Sequence, residues 1–195
     1  MIPGFTDDGV LPPFINDNPT SSQNMSPYPV GIAEFVQHFS STTERIAILN
    51  GLLDYRAALV ATGITGFQWL GGSFLEEVEV WRSRPPADID VVTVFHRPTT
   101  SISNADWIPI LQGPQGHLFI DQALTKQIYK CDAYIIDMNE PVKSVVNSTR
   151  FWFGLFSHQR DTSLWKGMLS VELDTQQDIS ARSILLAKTQ LLTRP

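Results

Sequence analysis

Apolar residues recur at two different periods along this chain. Between residues 46 and 60 they return every three or four positions, which predicts an amphipathic helix. The tetrapeptide Ser41–Glu44 matches a capping box, so Ser41 is predicted to cap this helix and Glu44 to reach back to its first amides. Thr62 and Gly63 are predicted to end the helix.

Four shorter apolar stretches predict β-strands, and the most β-branched of them is 88–95. The predicted strands are residues 67–70, 88–95, 131–138 and 166–173. Further helices are predicted at residues 32–38, 107–111, 121–128, 142–156 and 179–192. Helices before and between the strands indicate an α/β (α+β) domain, with a small mixed sheet of about four strands flanked by helices.

The first 30 residues have a different character, because six prolines interrupt them. Proline fixes φ and lacks an amide hydrogen, so this segment is predicted to be an irregular arm without regular elements. Apolar residues such as Phe5, Leu11 and Phe14 predict that the arm packs along the body of the protein. We therefore expect an arm at residues 1–30 and a single domain at residues 31–195.

Composition excludes several classes of protein. The chain has 195 residues, of which 43% are hydrophobic, so it is not a disordered chain. It contains no apolar run near the roughly 18 residues that cross a bilayer, which predicts no membrane partner. The net charge of −6 argues against binding to duplex DNA. The single cysteine, Cys131, and a start without a basic and apolar leader predict a cytoplasmic location.

Asp88 and Asp90 are the first candidates for chemistry. They lie two positions apart in a predicted strand, so both side chains point to the same side of the sheet. Two like charges this close are costly unless a cation lies between them. Ligands that are all oxygen favour Mg²⁺ or Mn²⁺ over zinc. The alternative interpretation is an exposed strand end without a ligand.

A glycine-rich turn precedes these acids. Gly71, Gly72 and Ser73 follow the predicted strand 67–70, and Ser73 lies fifteen residues before Asp88. Glycines in such a turn let the backbone approach a ligand, and amides at the start of a following helix favour phosphate. Taken alone, the turn has an ordinary structural explanation. Together with the two acids, it indicates a site for a metal and a phosphate.

This order of a strand, Gly-Gly-Ser, a spacer and Asp-Ile-Asp resembles the nucleotidyltransferase superfamily, which has the DNA polymerase beta-like fold. The resemblance covers residues 64–140 and is closest to minimal bacterial nucleotidyltransferase-like proteins. Some of these have a similar amino-terminal arm, here Ile-Pro-Gly-Phe-Thr-Asp-Asp-Gly-Val-Leu-Pro-Pro-Phe, and a Lys-Gly strand near the end. The spacer at residues 74–87 is longer than usual in the family, so we expect an extra loop after a helix that begins behind Ser73.

The resemblance implies a third carboxylate from a neighbouring strand. Asp132 and Asp137 are the candidates, and their five-residue separation places them on opposite faces of a regular strand. Asp132 is closer to the position that the family uses, whereas Asp137 is better explained as part of the turn that ends the strand. The expected catalytic and metal-binding residues are therefore Asp88, Asp90 and Asp132.

Basic and aromatic residues near the carboxyl end are further candidates. The residues expected to bind the nucleotide are Gly71, Gly72, Ser73, Arg160 and Lys166. Arg150 is another base that suits a triphosphate, although each of these bases also suits a solvated surface. The aromatic stretch 151–156 is suited to stack on a base, but its helical spacing favours a place in the core.

The resemblance implies a metal-dependent enzyme that transfers a nucleoside monophosphate from a nucleoside triphosphate to an acceptor hydroxyl. Mg²⁺ or Mn²⁺ is the expected cofactor, ATP is one candidate substrate, and the acceptor is a protein, a nucleotide or an RNA end. By analogy, the small size suggests a component of a toxin-antitoxin or antiviral defence system. The alternatives are an inactive nucleotide-binding sensor and an interaction subunit, with a protein partner or a second copy of the chain.

Overall fold

A computed structural model describes residues 1–160 and 162–192 of the chain. Five strands form a single sheet, and they are β1 (Tyr28–Pro29), β2 (Thr65–Gly71), β3 (Ile89–His96), β4 (Cys131–Asp137) and β5 (Leu169–Glu172). Their spatial order is β1-β5-β2-β3-β4. Strand β2 is antiparallel to both of its neighbours, whereas β3 and β4 are parallel, as are β1 and β5. The mixed α/β class predicted from the sequence is confirmed.

The fifth strand corrects two predictions, the count of about four strands and the absence of regular structure in the arm. Strand β1 lies inside the arm, which also contains a 3₁₀ turn at Ser22–Asn24. The amides of Tyr28 and Val30 donate to carbonyls across the sheet at 3.0 and 2.9 Å. Pro29 lies between them, at the edge of the sheet, where a residue without an amide hydrogen breaks no ladder bond.

Eight α-helices occur in the described residues. They are α1 (Ile32–Phe39), α2 (Thr43–Ala61), α3 (Val78–Trp81), α4 (Asn104–Gln112), α5 (His117–Ile120), α6 (Gln122–Tyr129), α7 (Val142–Phe156) and α8 (Thr175–Leu192). The bounds predicted for α7 are confirmed, and α5 had no counterpart in the prediction. None of these helices is both long enough and apolar enough to cross a membrane.

The start of α2 differs by one residue from the prediction. Thr42, not Ser41, is the N-cap, and its side chain accepts a hydrogen bond of 3.2 Å from the amide of Arg45. The Glu44 carboxylate accepts a hydrogen bond of 3.0 Å from the hydroxyl of Thr43. Both hydroxyl residues suit a cap chemically, and the buried Arg45 side chain in the first turn donates to Glu79 at 2.6 Å.

The two faces of the sheet pack against different cores. Alternate residues of the strands, such as Leu70, Val91 and Val171, belong to the larger core, which also includes side chains of α1, α2 and α8. Val92 and Val94 point the other way and pack with Phe156 of α7. The period-two alternation of strand residues produces both faces.

The arm is part of the larger core. Ile2, Leu11 and Tyr28 are buried members of it. The Tyr28 hydroxyl donates to the Pro12 carbonyl at 2.7 Å, and the amide of Gly167 donates to the Leu11 carbonyl at the same distance. The arm therefore packs against the segment that leads into β5.

Candidate functional site

Strand register brings three carboxylates to one end of the sheet. Asp90 of β3 is paired directly with Asp132 of β4. Asp88 precedes β3 by one residue and lies two positions from Asp90, which places it on the same face. Gly71, the last residue of β2, is paired with Asp90 on its other side. The glycine turn and the three predicted acids therefore meet across adjacent strands.

The three acids and Gly72 line a pocket of about 250 Å³. Its acidic residues are Glu76, Asp88, Asp90 and Asp132. Its basic residues are Arg82, Arg84, Lys126, Arg160 and Lys166. A cavity with this many charges of both signs suits a ligand that combines phosphate groups with cations.

Gly72 has the conformation that the turn requires. Its φ is +75°, and a Cβ at this position would overlap the carboxylate of Asp90. Any other residue would therefore be strained by its backbone and would displace Asp90. Gly71 does not line the pocket. A Cβ there would lie 2.7 Å from the Phe156 ring, so this glycine serves the packing of α7.

The helix expected to begin behind Ser73 is replaced by two short elements, which corrects that prediction. Ser73 begins a 3₁₀ turn of three residues, and α3 follows with only four. The chain leaves the turn at Glu76, whose backbone pairs with Val10 of the arm. A phosphate at this turn would therefore meet Gly72 and the Ser73 hydroxyl rather than the amino end of a long helix.

The Asp90 carboxylate carries a strongly perturbed pKa. Burial, followed by the neighbouring charges of Asp88 and Asp132, raises the pKa of Asp90 to about 6. Lys166 and Arg160 act in the opposite direction but do not compensate. Burial and the two neighbouring acids therefore disfavour the ionised form of Asp90.

Lys126 of α6 contacts two of the three acids. Its Nζ lies 2.5 Å from Asp88 Oδ2 and 3.6 Å from Asp132 Oδ2. The hydrogen bond to Asp88 is the main cause of the raised pKa of Lys126. The sequence prediction missed this residue, and the only signal in the sequence is its place six residues before Asp132 on the preceding helix.

Lys166 lies in the pocket but is already paired. Its Nζ lies 2.5 Å from Glu76 Oε1 and donates to the Gly72 carbonyl at 3.2 Å, and both Lys166 and Glu76 are buried. Gln159 donates to the other oxygen of Glu76 at 2.9 Å. The Lys166–Glu76 pair therefore supports the glycine turn through the hydrogen bond to the Gly72 carbonyl. The sequence prediction did not assign this role to Glu76.

The other predicted residues differ in whether they line the pocket. Arg160 is exposed and lines the pocket. Arg150 is exposed on α7 and does not line it. Asp137 lies outside the pocket, where its Oδ2 is 2.6 Å from Arg97 Nε. Within the aromatic stretch 151–156, only Phe156 is buried, and it also lines the pocket.

By its chemistry, the donor set fits a hard divalent cation. Asp88, Asp90 and Asp132 offer only carboxylate oxygens, and burial, followed by the charges of Asp88 and Asp132, raises the pKa of Asp90. The described residues contain no group of three or more His, Cys, Asp or Glu side chains close enough together to hold a metal ion. Metal binding therefore requires these side chains to converge and the Lys126 ammonium to leave Asp88.

Comparison with known proteins adds a family. Residues 3–172 match the family described as "Family of unknown function (DUF6932)". The chain belongs to DUF6932. The DUF6932 match contains the arm from residue 3, the glycine turn and every pocket residue, and it ends with β5, before α8. No curated protein and no solved structure matches the chain.

Proposed function

We propose that this DUF6932 protein is a metal-dependent nucleotidyltransferase. It would transfer a nucleoside monophosphate from a nucleoside triphosphate to an acceptor hydroxyl and release pyrophosphate. One observation carries the proposal: Asp88, Asp90 and Asp132 line a single pocket together with the Gly72 turn. The same arrangement supports the resemblance to the nucleotidyltransferase superfamily that the sequence motifs indicate.

Each part of the pocket has a task in this reaction. Gly72 and Ser73 contact the phosphates, so that the α-phosphorus lies in line with the acceptor. Asp88, Asp90 and Asp132 would hold Mg²⁺ or Mn²⁺, which supplies charge neutralisation and lowers the pKa of the acceptor hydroxyl.

The transfer itself exchanges one bond for another. The acceptor oxygen forms a bond to the α-phosphorus while the bond between this phosphorus and the α–β bridging oxygen breaks. The hydroxyl proton passes to Asp132, and pyrophosphate carries away the electrons of the broken bond.

The basic residues would bind the triphosphate. Arg84 and Arg160 are exposed at the pocket, where charge-assisted hydrogen bonds to phosphate oxygens are available. Lys166 has its charge offset by Glu76, so we assign it to the support of Gly72 more than to direct binding.

A second function, a nucleotide-binding sensor without turnover, is favoured by Lys126. Its ammonium already neutralises part of the charge on Asp88 and Asp132, so a nucleotide has a binding site even without a metal. A sensor needs the phosphate contacts but not the bond exchange.

Thermal unfolding separates these functions. The enzyme proposal predicts that each active nucleoside triphosphate raises the melting temperature only together with Mg²⁺, by mass action. It also predicts transfer of label from an α-³²P-labelled triphosphate to a protein, nucleotide or RNA acceptor. A melting shift without label transfer would support the sensor, and no shift with any triphosphate would support an interaction subunit.

A double variant tests the assignment of the acids. Asp88→Asn with Asp90→Asn should abolish label transfer, whereas Asp8→Asn, at an exposed position in the arm, should retain it. Equal transfer by the double variant and the native protein would overturn the enzyme proposal.

A further inference from the structure

Lys126 is a charged pocket residue for which the proposed reaction has no task. Its ammonium contacts Asp88 and Asp132, two of the three acids proposed to bind the metal. The acid side chains are 17% and 20% exposed, whereas that of Lys126 is 48% exposed. The charge of this lysine therefore lies at the partly buried acids, while the rest of its side chain borders solvent.

Helix α6 determines where this side chain starts. The Asp121 carboxylate accepts a hydrogen bond of 2.9 Å at the helix start, and the hydroxyl of the buried Thr125 donates to the Asp121 carbonyl at 2.8 Å. Lys130, with φ +56°, ends the helix directly before β4. The backbone of Lys126 is thus held near Asp132, while its long side chain has room to turn into solvent.

The ammonium and a divalent cation would both bind the Asp88 carboxylate. Asp88 Oδ2 lies 2.5 Å from Nζ of Lys126, so a cation bound directly to this oxygen would lie next to the ammonium. Like charges at such a separation repel strongly in a partly buried site. An ammonium at Asp88 therefore disfavours a metal ion at the same carboxylate and would lower the apparent metal affinity.

We propose that Lys126 is an internal counter-ion that competes with a divalent metal for Asp88 and Asp132. The inference rests on the proposed function, because it takes these acids as metal ligands. A metal held by these acids would displace the Lys126 ammonium from Asp88, and the ammonium would then lie in the pocket proposed to bind the nucleotide phosphates. Lys126 is a positioning residue in this scheme. In the metal-free protein, its ammonium offsets the repulsion between the Asp88 and Asp132 carboxylates.

Titration with Mn²⁺, followed by electron paramagnetic resonance, tests the competition without any measurement of activity. Lys126→Met should bind Mn²⁺ about tenfold more tightly than the native protein, because the competing charge is gone. Lys143→Met is the matched control. It removes the same charge from an exposed position on α7 that does not line the pocket, so Mn²⁺ affinity should not change. Lys126→Arg retains the charge and should not bind more tightly than the native protein.

The outcomes distinguish this inference from the proposed function. Equal or weaker Mn²⁺ binding by Lys126→Met, with clear binding by the native protein, would overturn the competition and leave the metal site intact. Absence of Mn²⁺ binding by both proteins, with and without nucleotide, would overturn the metal-dependent function itself. Lys126→Gln provides a second variant, and the melting temperatures of both variants show whether either substitution has changed the fold.

Discussion

Gly72 and Asp90 are in direct contact where β2 ends and β3 begins. The backbone of Gly72, at φ +75°, leaves no space for a Cβ next to the Asp90 carboxylate. A turn that follows β2 is therefore shaped by an acid on β3. This contact joins the two sequence features, the glycines and the acid pair, into one site.

Gly72→Ala tests this contact. The substitution should reduce the free energy of unfolding by about 1–3 kcal/mol, because it combines an unfavourable φ with an overlap on Asp90. Gly154→Ala is the control, because the added Cβ of this helical glycine would lie in open space beside its own helix. We expect this substitution to raise the free energy of unfolding by about 0.5–1 kcal/mol. Urea unfolding measures both.

The overlap itself can be separated from the backbone strain. In an Asp90→Ala background, Gly72→Ala should cost less, since the carboxylate is no longer there. An equal cost in both backgrounds would contradict the contact.

The raised pKa of Asp90 makes stability depend on pH. Its pKa of about 6 lies above the usual 3.8, so the folded protein keeps a proton that the unfolded chain releases between these values. Asp90 therefore lowers stability progressively as the pH rises through this window. Asp90→Asn should be more stable than the native protein by on the order of 1–3 kcal/mol near pH 7, with most of the gain lost near pH 4.

Urea unfolding across this pH range measures the effect. Asp8→Asn, which removes an exposed acid from the arm, is the control and should change stability little at either pH. A gain for Asp90→Asn that does not vary with pH would contradict the pKa assignment.

Substitutions of Asp132 and Asp137 are expected to affect different properties, the transfer activity and the stability. Asp132→Asn should abolish metal-dependent transfer and leave the free energy of unfolding nearly unchanged, because Asp132 is partly exposed in the pocket. Asp137→Asn should retain transfer but lose on the order of 2–4 kcal/mol of stability, because it breaks the ion pair with the buried Arg97. Transfer assays and urea unfolding of both variants provide the comparison. Loss of transfer in Asp137→Asn alone would reverse the assignment.

Two ion pairs between α2 and α8 form a matched test of burial. Arg56 and Asp178 are both buried, with Nε and Oδ1 2.9 Å apart, whereas Arg182 and Asp54 form an exposed pair at 2.8 Å. Burial lowers the pKa of Arg56, and the charge of Asp178 opposes this shift.

Removal of one partner should therefore have very different effects in the two pairs. Asp178→Asn should cost about 3–5 kcal/mol, because it leaves the Arg56 charge buried without its counter-ion. Asp54→Asn should cost about 0–1 kcal/mol, as an exposed pair does. Chemical denaturation of both variants measures the difference, and similar losses would contradict the burial argument.

Local patterns in the sequence predicted most of the secondary structure. The period of apolar residues located α2 and α7, and short apolar runs located β2 to β5, because these periods reflect which face of an element is buried. The same period-two rule placed Asp88 and Asp90 on one face. Strand β1 was missed, because its two residues are ordered by hydrogen bonds to β5 and not by their own propensity.

The arrangement of the pocket required the tertiary structure. Sequence separation shows that Asp132 and Asp137 point to opposite faces, but only the register between β3 and β4 places Asp132 beside Asp90. Glu76 and Lys166 are ninety residues apart and meet only through folding.

The sequence by itself determined the class of the domain and the chemical types available at its candidate site, because both depend on local periodicity and residue identity. The tertiary structure decided which charges are paired. Lys126 contacts Asp88, and Lys166 contacts Glu76, because helix docking and strand register bring distant residues into contact. Charge pairing depends on distances through space, and no local pattern along the chain encodes those distances.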